Sequence, residues 1–475
     1  MTSSLRVELI RIARLSAPVA LSQLGMMTMG AVETMVVGHL GPSELAACAL
    51  GNVWEWSWLC LGLGLVMGID PLISQAHGRG DGPGTALAMQ RGIVLGLIVS
   101  VPICVCLAFT RQGLVLLGQD PAVAELAGEY NLYKLPTVPC YLIYSALRQY
   151  LQGRTLMLPV TVVMWCGNAI HALLSWLLVF GAGSPPAFGL VGAAVAESVT
   201  FMLLVIGLGS TIRVLGLHRG AWRSWRRDSF ALYGLLQTVR LGVPIGMQIA
   251  FEAWAFSIAT FMAGWLGRDA IGSHQIVLNL AALAFMIPLG VAQGAATRVG
   301  NLVGAGDTNG MQTAVNAAVL LGALVMVPPA LVFTLFRHQL PALYSTDPSV
   351  IAAAAQILPI AAAFQLCDGA QVVAGGVLRG MGRPDAGAVL SLCGYYAVAL
   401  PLAYVAAFIW CHGLVGIWGA LAVGLTLVAV ALVLLMRRAS QRSLLALQLD
   451  IERRHSTHPP PSRTTIGAAK STWVM

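Results

Sequence analysis

Twelve apolar stretches run through this chain, each about long enough to cross the hydrocarbon core of a bilayer. They fall at about 16–38, 46–69, 88–110, 130–151, 157–180, 188–212, 240–265, 270–296, 312–336, 350–378, 387–410 and 413–436. A spanning helix needs about 20 predominantly apolar residues, because inside lipid each backbone N–H and C=O must find its partner within the helix. Only 10% of the residues are charged, against roughly 25% in a soluble domain. The chain is therefore expected to be an all-α polytopic membrane protein.

The second six stretches repeat the first. Shifted by 226 residues, Arg14-Leu15-x-x-Pro18 meets Arg240-Leu241-x-x-Pro244, and Thr34-x-x-x-Gly38-x-Leu40-Gly41 meets Thr260-x-x-x-Gly264-x-Leu266-Gly267. Leu63-Gly64-x-x-x-Gly68 meets Leu289-Gly290-x-x-x-Gly294, and Gly78-x-Gly80-Asp81 meets Gly304-x-Gly306-Asp307. At an offset of 227, Asp120-Pro121 meets Asp347-Pro348. Six crossings per half is an even number, so both halves enter the membrane from the same side. The repeats are parallel, an arrangement used by transporters whose site lies between the halves. The organisation expected is an N-terminus at 1–15, a first lobe at 16–213, a basic linker at 214–239, a second lobe at 240–436 and a polar tail at 437–475.

Basic residues give the orientation. With the N-terminus in the cytoplasm, only Arg111, Arg268 and Arg337 lie outside, and Lys134 sits at the start of a span; the rest of the 27 Lys and Arg fall on the cytoplasmic side. Both termini are then cytoplasmic, in a bacterial cell the inner face of the inner membrane. The net charge of +8 reads as a topology signal and calls for no nucleic-acid partner. The linker's Arg219, Arg223, Arg226 and Arg227, with Trp222 and Trp225, form either a solvated positive-inside loop or an amphipathic stretch on anionic lipid. The tail, with Pro459-Pro460-Pro461, reads as disordered. The first apolar run is too long for a cleaved signal and is expected to be retained. The nine Cys lie in or beside spans without a CxxC pair and read as reduced packing residues. No Walker loop, HExxH or GxSxG occurs, so neither an ATP-driven pump nor a familiar hydrolase is encoded.

Carboxylates within the spans are the sharpest functional signal. An ionised Asp at a helix centre costs about 2.5–3.5 kcal/mol on insertion scales, so such groups face a cavity or a partner. Glu33, Glu55, Glu197, Glu252 and Asp368 lie well inside spans, and Asp70 near a cytoplasmic end. Gln248 and Glu252 share one face of the seventh span by i, i+4 spacing, as Gln275 and Asn279 do on the eighth. Gln365, Asp368 and Gln371 form a stripe on the tenth. These three stripes are candidates for one polar pocket; the alternative is that they only bond helices together. In the first half, Asn168, His171 and Ser175 share a face of the fifth span. His171 reads either as a proton carrier or as a hydrogen-bonded structural histidine. Glu55, among Trp54, Trp56 and Trp58, is either a lure for a flat organic cation or a satisfied helix contact. Glu197 reads as a contact to a neighbouring helix. Pro18 and Pro244, equivalent in the two halves, are candidate bending points.

The order of motifs resembles the multidrug and toxic compound extrusion (MATE) family, in its bacterial NorM-like and eukaryotic-like branches, over about residues 10–436. The markers are Leu15-Ser16-Ala17-Pro18, Val37-Gly38-His39-Leu40-Gly41, Pro71-Leu72-Ile73-Ser74-Gln75-Ala76-x-Gly78, Arg298-Val299-Gly300-Asn301-x-x-Gly304-Ala305-Gly306-Asp307, and Gly375-Gly376-Val377-Leu378-Arg379-Gly380, followed by Gly394-Tyr395-Tyr396. The resemblance implies two six-helix bundles around a V-shaped cleft that rock to export lipophilic organic cations or drugs in exchange for inward H⁺ or Na⁺. It also implies a monomer in contact with membrane lipid, no enzymatic activity and no cofactor beyond the coupling ion. Glu252 and Asp368 match the family's second-lobe cation residues, with Na⁺ as one candidate ion there. Phe364 stands where a Tyr is common, which removes one oxygen. Glu33, His171 and Ser175 stand where the first-lobe site of the H⁺-linked branch carries other groups. Tyr141 is the repeat counterpart of Asp368. The competing readings are a lipid-linked saccharide flippase, which would want basic residues for a diphosphate, and a membrane enzyme, which would want clustered catalytic groups at one interface.

Overall fold

The computed structural model describes residues 3–181 and 187–441, and every regular element in them is helical. Eleven helices among the described residues are long and apolar enough to cross a membrane. They are α1 (Ser3–Gly38), α2 (Pro42–Gly78), α3 (Gly82–Ala108), α5 (Leu158–Phe180), α6 (Gly189–Val214), α7 (Leu232–Trp265), α8 (Arg268–Ala305), α9 (Thr308–Leu335), α10 (Pro348–Gly380), α11 (Asp385–Ile409) and α12 (Gly413–Ser440). The remaining crossing, α4, is built from two shorter helices, Pro121–Tyr133 and Thr137–Gly153. The break falls at Lys134-Leu135-Pro136. Proline lacks an amide hydrogen and pushes the residue before it out of the helical region, so the chain turns there and restarts.

Several helices run beyond the apolar stretches expected from the sequence, α2 to Gly78 and α8 to Ala305 among them. Helix α1 begins at Ser3 and extends well below the first apolar run. Helix α7 begins at Leu232, so the irregular part of the linker is short and holds one 3₁₀ turn, Arg227–Phe230. Helix α12 continues to Ser440. The rest of the expected tail, beyond 441, lies outside the described residues.

The repeated Gly-Asp pairs are helix punctuation. Gly80 and Gly306 hold φ of +74° and +79°, the left-handed region that favours glycine. The Asp81 and Asp307 carboxylates then cap α3 and α9 by accepting from Gly84 N and Gly310 N, each at 2.8 Å. An Asp cap contributes about 0.5–2 kcal/mol. Asp120 and Asp347 cap the following helices of their halves in the same way.

Helices α1–α6 form one bundle and α7–α12 the other, each around its own apolar core. One core gathers Val66, Met89, Leu142, Tyr144, Tyr150 and Met164. The other gathers Val277, Ile357, Tyr395, Ile417, Trp418 and Leu425. The bundles meet along two seams related by the repeat: α2 against α7, and α8 against α1. A Cβ on Gly64 would stand 2.1 Å from Gly246 Cα, and one on its counterpart Gly290 would stand 2.6 Å from Ala20 Cβ. Only glycine permits that approach. Pro18 and Pro244 lie inside the continuous helices α1 and α7 beside these seams.

Both seams lie toward the end of the molecule where α1 starts and α12 finishes. Polar contacts between the lobes gather there too. Arg298 of α8 grips Glu8 of α1 at 2.7 and 2.8 Å. Gln75 Nε2 donates to the Gly380 carbonyl at 3.1 Å. Asp70 and Arg379, both largely buried, face each other at 3.9 Å. The lobes diverge from this closed end and leave a V-shaped cleft between them.

Candidate functional site: two buried acidic clusters

In the second lobe, Glu252 of α7 meets α10 and α11. Gln371 Nε2 donates to Glu252 Oε1 at 3.2 Å, and the Tyr395 hydroxyl donates to the same oxygen at 3.1 Å. Tyr395 reaches it from a π-helical stretch of α11, Cys393–Ala399, which breaks the regular side-chain register. Such bulges recur at functional sites. Asp368 is buried one helical turn before Gln371 and within electrostatic range of Glu252. Asp368 Oδ1, both amide atoms of Gln365, Gln371 Oε1 and Ser391 Oγ are buried without a protein partner. No Lys or Arg side chain pairs with Glu252 or Asp368 among the described ion pairs.

His274 does not supply the missing cation. Trp418 Nε1 donates to its Nδ1 at 3.1 Å, and its Nε2 faces Thr260 Oγ1 at 3.0 Å. A ring whose Nδ1 accepts a hydrogen bond is a neutral imidazole. Phe364 is buried, with its ring 6.0 Å from Phe256 and 6.1 Å from Trp418. It closes an aromatic floor beneath Tyr395 and offers no oxygen to an ion.

Of the three expected stripes, a hydrogen bond joins those of α7 and α10, through Glu252 and Gln371. Gln275 and Asn279 lie on an exposed face of α8, and Asn279 Nδ2 donates back to the Gln275 carbonyl at 3.0 Å. Ile276, Val277 and Leu280 of the same stretch pack into the core of the lobe, which leaves Gln275 and Asn279 on the opposite face of the helix. Gln248 is half-buried and packs its amide against Gly375 and Gly387, one turn before Glu252.

The first lobe holds a different cluster, centred on Lys134 at the break in α4. Its ammonium stands 2.5 Å from Glu55 Oε2, 2.6 Å from Glu197 Oε2, 2.8 Å from Asn52 Oδ1 and 3.3 Å from the Tyr130 hydroxyl. Tyr130 in turn donates to Glu33 Oε1 at 2.6 Å. Glu33, Asn52, Glu55, Lys134 and Glu197 border a cavity of about 230 Å³, whose apolar wall includes Met29, Trp56, Tyr141 and Phe201. Tyr141 sits edge-on to Phe201 at 5.3 Å.

Lys134 is the residue that sequence reasoning missed, because a charge at the start of an apolar run reads as a boundary. The Leu135-Pro136 break was the available signal: it carries the crossing on toward Pro121 and places Lys134 inside it. Glu55 is correspondingly a satisfied ion-pair partner and not a bare acid among tryptophans; Trp54 Nε1 is itself spent on the Cys106 carbonyl. Glu197 is also a contact to a neighbouring helix, and that contact is Lys134. His171 and Asn168 make hydrogen bonds to neighbouring helices. His171 is fully buried with Ser175 Oγ at 3.3 Å and Thr200 Oγ1 at 3.4 Å. Asn168 Nδ2 donates to the Gly25 carbonyl at 2.9 Å, tying α5 to α1.

The MatE family model matches the chain twice, over residues 18–177 and 244–405, once in each lobe. The chain belongs to the MATE family. It is a membrane transporter and not an enzyme. It is 33% identical over 437 residues to a probable multidrug resistance protein NorM of Mesorhizobium japonicum, covering 90% of this chain and 93% of that one. It is 30% identical over 414 residues to multidrug and toxin extrusion protein 1 of Danio rerio, covering 87% and 69%. The crystal structure of the eukaryotic MATE transporter AtDTX14 superposes with a TM-score of 0.87 at 24% identity, covering 95% of this chain and all of that one. The Vibrio cholerae MATE transporter VcmN in its bent form gives 0.82 at 19%, covering 94% and 99%. These likenesses establish the fold: twelve crossings in two bundles around a V-shaped cleft.

Proposed function

We propose that this MATE transporter is a secondary active antiporter that exports lipophilic organic cations or drugs in exchange for inward H⁺ or Na⁺. The observation that carries this reading is the second-lobe pair. Glu252, half-buried, and Asp368, buried, are two acids of one site that has hydrogen-bond donors but, among the described residues, no basic partner. Charge taken out of water without a counter-ion is costly. The pair is therefore served by a proton, by Na⁺, or by the positive charge of a substrate. These occupants exclude one another, and exclusion between coupling ion and substrate is what antiport requires.

The positive-inside distribution supports a closed, terminus-bearing end in the cytoplasm, with both termini inside, and we read the protein as one of the cell's inner membrane. The cleft then opens outward. In that state the coupling ion enters and displaces the drug. The lobes then rock about the glycine seams, with Pro18 and Pro244 as the points of give, and reopen on the cytoplasmic side. The membrane potential adds about 2.3 kcal/mol per charge per 100 mV to the inward step. Both lobes lie in one chain, so a monomer surrounded by lipid suffices. A carrier of lipid-linked diphosphates would want basic groups at its site. The ionisable groups of the two clusters are acids, and their one Lys is already held by two of them.

The test is ethidium efflux from an efflux-deficient host under imposed Na⁺ or H⁺ gradients, comparing the wild type with Asp368→Asn and Glu252→Gln. Gradient-driven efflux by the wild type and its loss in both variants is expected, and the gradient that drives it names the ion. Equal efflux by wild type and variants under either gradient overturns the assignment.

A further inference from the structure

The two lobes treat buried negative charge in opposite ways. In the second lobe, Glu252 and Asp368 have no basic partner among the described residues. In the first, four oxygens from Asn52, Glu55, Tyr130 and Glu197 converge on Lys134 Nζ at 2.5–3.3 Å. The Lys134 side chain is only 2% exposed. An ammonium has three hydrogens to donate, so a shell of four oxygens, two of them carboxylate, surrounds it as a shell surrounds a small cation. Hard oxygens of this kind are also what alkali and alkaline-earth ions select.

The placement follows from the chain. Helix α4 breaks at Leu135-Pro136, which sets Lys134 at a helix end between α2 and α6 instead of along a lipid-facing surface. At the 227-residue offset its counterpart is Ala361, in the unbroken α10. The duplicated fold therefore sets a Lys among the buried acids of one lobe, while among the described residues no Lys or Arg pairs with Glu252 or Asp368 in the other.

We propose that Lys134 is a tethered counter-cation: its ammonium permanently fills the alkali-cation position of the first lobe, so that this lobe binds neither Na⁺ nor K⁺. Removing the ammonium turns the same oxygens into a binding site for a free monovalent cation. Glu33 does not provide an alternative site, since one of its oxygens is already bonded by Tyr130 and it brings only a single carboxylate to the cavity. The proposal is independent of the second-lobe reading, because a first lobe without a free cation is expected whether or not Glu252 and Asp368 couple transport.

The experiment silences the second lobe with Asp368→Asn and compares that variant with Asp368→Asn/Lys134→Met. Thermal unfolding of the purified full chain in detergent is followed in choline, Na⁺ and K⁺ chlorides at equal ionic strength. The single variant is expected to melt at the same temperature in all three salts. The double variant is expected to show a saturable upward shift of several degrees in Na⁺ or K⁺ over choline, since a ligand that binds only the folded state stabilises it. Adding Glu197→Gln is expected to abolish that shift. Trp56 beside the cavity offers a fluorescence readout of the same event. If the double variant aggregates in choline, recovery of monodisperse protein by Na⁺ or K⁺ is the same supporting result. Aggregation in all three salts, or a folded double variant indifferent to the cation, overturns the proposal. So does a saturable Na⁺ or K⁺ shift in the single variant that Lys134→Met leaves unchanged.

Discussion

Gly64 and Gly246 meet across the lobe seam with no room for a side chain: a Cβ on Gly64 would stand 2.1 Å from Gly246 Cα. The contact is backbone against backbone, so no flexible side chain can yield. Its repeat counterpart, Gly290 against Ala20, is nearly as close at 2.6 Å. Gly64→Ala is expected to cost the closed end about 1–3 kcal/mol, the usual range for overpacking. It will read as a lower melting temperature and as faster maleimide labelling of a cysteine placed at Ser74. Gly290→Ala is expected to do the same from the other seam. Wild-type melting and labelling in both variants would contradict the seam as the closing contact.

Asp70 and Arg379 pair across the lobes at the same end, with side chains 3% and 11% exposed. Removing one partner of a buried pair leaves the other charge stranded and costs about 3–5 kcal/mol. The long 3.9 Å contact puts this pair toward the lower bound. Asp70→Asn is therefore expected to destabilise strongly, and Asp70→Asn/Arg379→Gln to recover part of the loss. A double-mutant coupling of about 0.5–3 kcal/mol is the expected signature of direct contact. Strictly additive losses would show that the two residues act separately.

Tyr395 donates to Glu252 from the π-helical part of α11. A hydrogen bond to a charged group is worth about 1.5–3 kcal/mol. Tyr395→Phe keeps the ring packed near Phe256 while removing that bond. The expected result is a shift of roughly tenfold or more in the coupling-ion concentration at half-maximal efflux, with little change in melting temperature. An unchanged ion dependence would remove Tyr395 from the site.

His171 sits between two hydroxyls inside the first lobe. Both ring nitrogens face hydroxyls, and the side chain is fully buried. His171→Gln can keep a donor and an acceptor there, and is expected to lose about 1 kcal/mol of stability for imperfect replacement. Its efflux–pH profile is expected to match the wild type. A flattened profile at unchanged melting temperature would restore the proton-carrier reading.

Much of the candidate site was legible before the fold. Glu252 and Asp368 stood out because an acid in an apolar run is costly wherever the helix packs. The direction of the neighbouring polar faces was not legible. Gln275 and Asn279 share a helix face, as Gln365, Asp368 and Gln371 do, yet one stripe is exposed and the other largely buried. Spacing tells which residues share a face; only the packing of Ile276, Val277 and Leu280 tells where that face points. Tyr395 was likewise hidden, because a π-helical turn changes the register that helical spacing assumes.

The sequence by itself determined the crossings, the parallel repeat, and the glycine and aspartate signals that end one helix and cap the next. Those depend on local physics: apolar length against bilayer thickness, and backbone freedom against side-chain capping. Tertiary structure alone decided which buried charges are partnered. Glu55, Lys134 and Glu197 come from α2, α4 and α6, and Glu252 and Asp368 from α7 and α10. Electrostatics in a low-dielectric interior depends on distance through space, so the acids of one lobe end around a shared Lys while, among the described residues, Glu252 and Asp368 of the other meet no Lys or Arg.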